Sequence, residues 1–254
     1  MFEPNVERLV RDLSPEDKVL DVGGWACPFN RAQWVLDAEP FETRGYYASF
    51  GGPSSQGPEE EWFTKATWVQ RDICDRAPWP FANKVFDFAV CSHTLEDVRD
   101  PLWICSELVR VAKRGYIEVP SRVFESCLGA ERSGQAGLSH HRWLIDIDGQ
   151  RVRFLPKYHM IHADWRFHLP ASHLRGLSRE AAVQWLWWED QFEFEELTIH
   201  GVPAQEAELQ RFVQSVHRRP SWVYRVDDAV RHASTFSRRA AAWIARRSRL
   251  ARAA

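Results

Sequence analysis

Val19-Leu20-Asp21-Val22-Gly23-Gly24 is the stretch whose reading decides the fold. Apolar residues around a single acid make a short buried strand, and the two glycines end it in a turn. A turn that lets a ligand approach the backbone needs residues without a Cβ, and Gly23 and Gly24 supply that freedom. Three later segments follow the same plan: Trp34-Val35-Leu36-Asp37, Val69-Gln70-Arg71-Asp72-Ile73, and Phe86-Asp87-Phe88-Ala89-Val90-Cys91-Ser92-His93. Each is strand-like and ends in polar residues. Open α/β sheets bind ligands at such carboxyl ends, where the strand order reverses.

The flanking sequence extends this plan. Residues 4–13 read as a short helix stopped by Ser14-Pro15, and strands are expected over 18–22, 33–37, 67–70, 85–91 and 115–119. The segment 23–32 is too short for a long crossover helix. Residues 41–62 carry Gly45, Gly51, Gly52, Pro53, Gly57 and Pro58, and read as a mobile lid loop. Asp100-Pro101 opens a helix whose apolar residues Leu102, Ile104, Cys105, Leu108, Val109 and Ala112 recur at helical spacing. Residues 142–154 read as a β-hairpin with Asp148-Gly149 at its turn, 181–200 as the last antiparallel strands, and 206–216 as a helix. After Asp228 no acidic residue follows, and Val226, Val230, Ala233, Phe236, Ala240, Trp243 and Ile244 form an apolar stripe among arginines.

Composition narrows the class. A chain of 254 residues with 44% hydrophobic residues suits one α/β domain with additions. The net charge of −2 gives no global pull toward nucleic acid. The five cysteines are odd in number and form no C-x-x-C pair, which fits a reducing cytoplasm better than a disulfide scaffold. Met1-Phe2-Glu3-Pro4-Asn5-Val6-Glu7 has the character of neither a signal peptide nor a membrane span. Thirteen tryptophans are many; most are expected in packing, with some lining a cleft.

A dinucleotide site would prefer G-x-G-x-x-G, whereas this chain has Gly23-Gly24-Trp25-Ala26-Cys27-Pro28 and places its acid, Asp21, before the turn. The order of these strand ends resembles that of the class I S-adenosylmethionine-dependent methyltransferases of the small-molecule type. Asp21-Val22-Gly23 matches the first half of their Asp-x-Gly-x-Gly motif, with a departure at Trp25. The most specific stretch is Phe86 to Asp97, in which a Phe-Asp pair precedes the strand and a His-x-Leu-Glu run follows it. Pro78-Trp79-Pro80-Phe81 upstream and Glu107-Leu108-Val109-Arg110-Val111 downstream add to the match, and Lys113-Arg114-Gly115 reduces the usual Pro-Gly-Gly. The resemblance covers about residues 18–120.

The resemblance implies a Rossmann-like, seven-stranded, mostly parallel sheet with helices on both faces, a β-hairpin cap insert and a C-terminal basic amphipathic helix. It implies a methyltransferase domain over 1–216, with core 18–120, lid 41–62 and cap 121–175, followed by a basic tail at 217–254. S-adenosylmethionine would be held by Asp21, Gly23 and Gly24 at its methionine end, with Ser92 and His93. Asp37 would take the ribose hydroxyls, and Asp72 and Ile73 the adenine. Glu118, His140 and His141 are the candidate catalytic residues, a histidine serving as general base for an oxygen or nitrogen acceptor. The acceptor is expected to be a small molecule or glycan. His140, His141, His159 and His162 fix no ligand geometry, and no metal ion is assigned.

Two other readings stay open: a catalytically inactive S-adenosylmethionine-binding partner subunit, and a nucleotide-cofactor oxidoreductase or epimerase. The basic tail could dock in a homodimer or lie on an anionic membrane surface, giving a cytoplasmic protein with an option of peripheral attachment.

Overall fold

The computed structural model describes residues 1–131, 134–217 and 226. In chain order they form α1 (Glu3–Asp12), β1 (Val19–Val22), β2 (Trp34–Asp37), β3 (Trp68–Gln70), β4 (Phe86–Ser92), α2 (Pro101–Val111) and β5 (Ala112–Pro120). There follow α3 (Arg122–Ser126), β6 (Trp143–Asp148), β7 (Arg151–Pro156), α4 (Ala171–Arg175), β8 (Val183–Glu189), β9 (Glu193–Glu196) and α5 (Val202–Val216). These residues fall into two compact units. Met1–Arg122, His140–Lys157 and Ser178–Thr198 make the first; Val123–Ser139, Tyr158–Leu177 and the residues from Ile199 on make the second.

In the first unit the central sheet runs β3-β2-β1-β4-β5-β8. The first five strands are parallel and β8 is antiparallel to β5. Both faces are covered, as a largely parallel sheet requires. Strand alternation sorts the side chains. Leu20, Val22, Ala89, Cys91, Ile117, Leu186 and Trp188 face α2, which contributes Ile104, Cys105, Leu108 and Val111. Val19, Phe88, Val90 and Tyr116 face α1, which contributes Leu9, with Leu13 just beyond it. Asp100 caps α2 by accepting the Trp103 N–H at 3.1 Å, and Pro101 occupies its first turn.

The tryptophans of β8 obey the same alternation. Trp185 stacks on Phe2 at 5.6 Å and Trp187 lies against Tyr116 at 4.6 Å, on the α1 face. Trp188 covers the other face over Gly115, where a Cβ would come within 2.5 Å of the Ala89 carbonyl and 2.6 Å of the indole. Gly115 is therefore a packing glycine that lets the indole lie flat on the sheet.

Several sequence expectations are corrected. The central sheet has six strands among the described residues, not seven. The chain turns away after β8 through Asp190, which has φ 58°, and β9 joins a separate sheet of order β6-β7-β9. Charge explains that choice: β9 is acidic, and Arg151 of β7 binds Glu193 at 2.7 Å, a cross-strand pair of opposite sign. The β6–β7 hairpin forms, but Asp148 pairs with Arg151, so the two turn residues are Gly149 and Gln150. The helix expected at 206–216 starts earlier, at Val202. Residues 41–62 are not a free lid. They hold three-residue and five-residue 3₁₀ turns, and backbone bonds tie them to the β1–β2 connection: Gly45 to Trp25, Tyr47 to Ala26, and Gln56 to Pro28.

In the second unit, Cys127, Leu169 and Val213 form a small core with Val123, Leu174 and Val216 around them. The expected cap, 121–175, is thus divided between the two units. The basic tail expected over 217–254 lies outside the described residues apart from His217 and Val226. No helix among the described residues is long and apolar enough to cross a membrane.

Gly115→Ala should destabilise the protein by about 1–3 kcal/mol, because backbone and a buried indole oppose the added methyl. Urea unfolding measures this; an unchanged midpoint would mean that Trp188 moves aside without cost.

Candidate active site

The strand order reverses between β1 and β4: the chain moves outward from β1 to β2 and β3, then returns to the other side of β1. Ligands of open α/β sheets sit outside the carboxyl ends at that point. A cleft of about 930 Å³ opens there. Gly23 from the turn after β1 and Ser92 and His93 from the end of β4 form its floor. Tyr47, Ser55 and Gln56 come from the 41–62 segment, and Glu3, Glu7 and Arg11 from α1.

The floor is built around Glu118. This carboxylate is fully buried at the end of β5, opposite Ser92 in the β4–β5 register. It accepts the Phe2 N–H on both oxygens, at 2.8 and 3.0 Å, and the Tyr116 hydroxyl. The Asn5 amide in turn donates to the Tyr116 oxygen at 2.8 Å. His93 Nε2 lies 3.1 Å from Glu118 Oε1, and His93 Nδ1 3.4 Å from Glu96 Oε1. Burial alone would lower the His93 imidazole, but hydrogen bonds to Glu118 and Glu96 outweigh it and raise its pKa to about 9. Burial alone would raise Glu118, and His93 together with the Tyr116 hydroxyl holds it below the ordinary glutamate value. His93 also has φ 52°, a left-handed conformation uncommon for a residue with a side chain. Glu96 is buried, and its carboxylate faces the His93 ring at 3.4 Å.

Asp21 does not face the cleft. It is buried, accepts the Phe29 N–H at 2.8 Å, and lies where a Cβ on Gly24 would come within 2.2 Å. Burial pushes its carboxyl up to about 7, partly opposed by the Phe29 N–H. Gly24 is thus required by Asp21, and Gly23 by its φ of 75° and by Thr94. Asp37 ends β2 and accepts the Trp25 and Glu39 N–H groups, each at 2.9 Å. Burial raises its carboxyl above the usual range. Asp72 pairs with Arg99 at 2.6 Å, beside Arg76 and Asp100 in a second cleft. Ile73 is in the core, and its carbonyl accepts the Trp79 indole N–H. So Gly23, Ser92 and His93 come together in the cleft, whereas Asp21, Gly24, Asp37, Asp72 and Ile73 do not line it.

Glu118 lies beneath the floor rather than open to an acceptor. His140 and His141 are not among the residues lining the cleft. They meet Asp97, whose Oδ1 lies 3.9 Å from His140 Nε2 and 3.6 Å from His141 Nε2. Among the described residues no tryptophan lines the cleft. Tyr47, Gln56 and the acids of α1 belong to the site without any sequence motif.

Residues 54–117 match a family model described as a methyltransferase domain. Among solved structures the chain is similar to an S-adenosylmethionine-dependent methyltransferase from Mesorhizobium loti, at 17% identity over 59% of this chain and 62% of that one, with a TM-score of 0.31. It is also similar to an arsenic(III) S-adenosylmethionine methyltransferase from Chlamydomonas reinhardtii, at 16% identity over 48% of this chain and 50% of the other, with a TM-score of 0.29. A third, from Aquifex aeolicus, has 18% identity over 46% and 65% of the two chains and a TM-score of 0.27. The chain spans 50% to 65% of the length of these solved structures. No curated protein matches the sequence.

Asp21 and His93 make stability depend on pH in the same direction. Each binds its proton more tightly when folded: Asp21 at about 7 against an ordinary 3.8, and His93 at about 9 against 6.5. At these two sites the folded state therefore holds more protons than the unfolded chain across both windows, and their contribution to stability is lost as pH rises through them. Asp21→Asn should flatten the fall below pH 7, and His93→Asn the fall between about pH 6.5 and 9, asparagine tolerating the left-handed backbone. Denaturant midpoints against pH test this; a His93→Asn profile parallel to the parent's above pH 6.5 would sink the account of His93.

Proposed function

We propose that this domain transfers a methyl group from S-adenosylmethionine to an oxygen or nitrogen of a small-molecule or glycan-like acceptor. The observation that carries the reading is the cleft at the switch point, floored by the turn after β1 and the end of β4. Its volume of about 930 Å³ suits a nucleoside-sized ligand together with an acceptor.

Three features fit the cofactor. The Ser92 hydroxyl is buried at the cleft floor and makes no hydrogen bond with the described residues, so it is a group awaiting a partner. Gly23 brings bare backbone to the same wall. Asp37, which ends β2 and does not itself line the cleft, uses two of the roughly four lone-pair directions of its carboxylate on backbone N–H groups, which leaves capacity for a ribose diol. The adenine assignment to Asp72 and Ile73 finds no such support, since Asp72 is paired with Arg99 and Ile73 is packed.

When bound, S-adenosylmethionine supplies an electrophilic methyl group on a sulfonium. The protein's share of the work is alignment for in-line displacement and exclusion of water, which proximity alone can make large. Ser92 and Gly23 would hold the amino-acid end. His93, protonated and fixed between Glu96 and Glu118, would act as a rigid part of the floor rather than as a base. His140 and His141 remain the candidates for handling the acceptor proton, with Asp97 as their partner.

Calorimetric titration with S-adenosylmethionine and S-adenosylhomocysteine tests the reading directly. Both should bind. Ser92→Ala should weaken them by about 1 kcal/mol while leaving the fold as stable as before or more so, because it removes an unsatisfied buried hydroxyl. Folded protein with no affinity for either ligand would refute the proposal.

A further inference from the structure

We infer that Asp97, His140 and His141 form a binding site for one divalent ion of the zinc class. The two histidines are neighbours in sequence, and their rings stand edge to face at 4.6 Å. Both nonetheless direct Nε2 at the same carboxylate oxygen, Asp97 Oδ1, from 3.9 and 3.6 Å. These separations exceed the roughly 2.7–3.2 Å of a direct N–H···O hydrogen bond. They lie close to the spacing that a shared ion would set. Ligands about 2.1 Å from one zinc ion stand about 3.4 Å apart across a tetrahedral angle. One ligand atom from each of the three residues falls within a 4.8 Å group. His140 is exposed, with 60% of its side chain accessible, and can turn inward, whereas His141 is buried at 4% and already set.

The backbone holds the ligands together before any ion arrives. The Arg142 and Trp143 N–H groups both donate to the Glu96 carbonyl, at 2.7 and 3.2 Å. The Trp143 indole N–H donates to the Val98 carbonyl at 2.8 Å. The segment carrying the histidines is therefore pinned to the residues on either side of Asp97. Such support keeps metal ligands in place and lowers the cost of ordering them.

The donor set selects the ion. Two imidazole nitrogens and one carboxylate oxygen suit zinc and its neighbours rather than magnesium or calcium, which prefer oxygen. Three protein ligands leave a fourth position open, the arrangement of reactive rather than structural zinc. Tyr47 lines the cleft, and its phenol is raised by burial first and then by Asp97 and Glu96. An acceptor oxygen in the open position would lose its proton more readily, which would give His140 and His141 a role as ligands instead of bases. That last role rests on the methyl-transfer reading; the binding of metal does not.

The test uses the full chain, stripped with a chelator and titrated calorimetrically with Zn²⁺, with Co²⁺ absorption as a second readout. One saturable site is expected, with Co²⁺ giving the spectrum of a four-coordinate ion. Asp97→Asn and His140→Ala should each weaken Zn²⁺ at least about tenfold, while His159→Ala, which removes another exposed histidine, should not. His140→Ala alters an exposed side chain, and circular dichroism checks its fold. The absence of a one-to-one site, or equal affinity in parent, Asp97→Asn and His140→Ala, would overturn the inference. Zinc binding without affinity for S-adenosylmethionine would support the metal site and refute only the methyl-transfer reading.

Discussion

The Glu118 carboxylate is buried at the end of β5, and most of the site's geometry follows from keeping it satisfied. An isolated charge there would cost several kcal/mol. It is stabilised by Phe2 N–H, by the Tyr116 hydroxyl and by His93. Each partner fixes something different. Phe2 fixes the start of α1 against the sheet, Tyr116 reaches on to Asn5 within α1, and His93 is held in its left-handed turn at the end of β4. One carboxylate thus joins a helix, two strand ends and the floor of the cleft.

This arrangement also explains how the sheet face at the cleft is covered. No helix lies between β1 and β2, since the connection from Gly23 to Gln33 is too short to hold one with its turns. The face is covered instead by α1 and by Trp185 and Trp187 of β8. The 41–62 segment, which looks like free loop in composition, is laced to the same connection by backbone hydrogen bonds. Its glycines serve turns: Gly45 and Gly51 have φ of 74° and 78°.

Much of the fold was legible because periodicity reports burial directly. The strands Val19–Val22 and Phe86–Ser92 and the helix opened by Asp100-Pro101 follow from apolar runs and caps that lie within one segment. The number of strands in the sheet did not, because β9 is drawn to β7 by charges far from it in sequence. The acids show the same limit. Asp21, Asp37 and Asp72 stand alike at strand ends in the sequence, yet one bonds Phe29, one caps Trp25 and one pairs with Arg99. Which partner an acid takes depends on loops that the strand pattern does not specify.

From the sequence alone come the parallel α/β class, the first five strand segments along the chain, the glycine turn after β1 and the polar end of β4. All are local, set by side-chain size and alternation over a few residues. Only the tertiary structure decided which of those polar residues open to a ligand and which are internal. Glu118 meets His93 across 25 residues and Phe2 across 116, and Asp97 is brought to His140 and His141 by bonds to the Glu96 and Val98 carbonyls. Hydrogen bonds and ion pairs act over a few ångströms in space, whatever the distance along the chain, so a site built from them becomes visible only when the chain is folded.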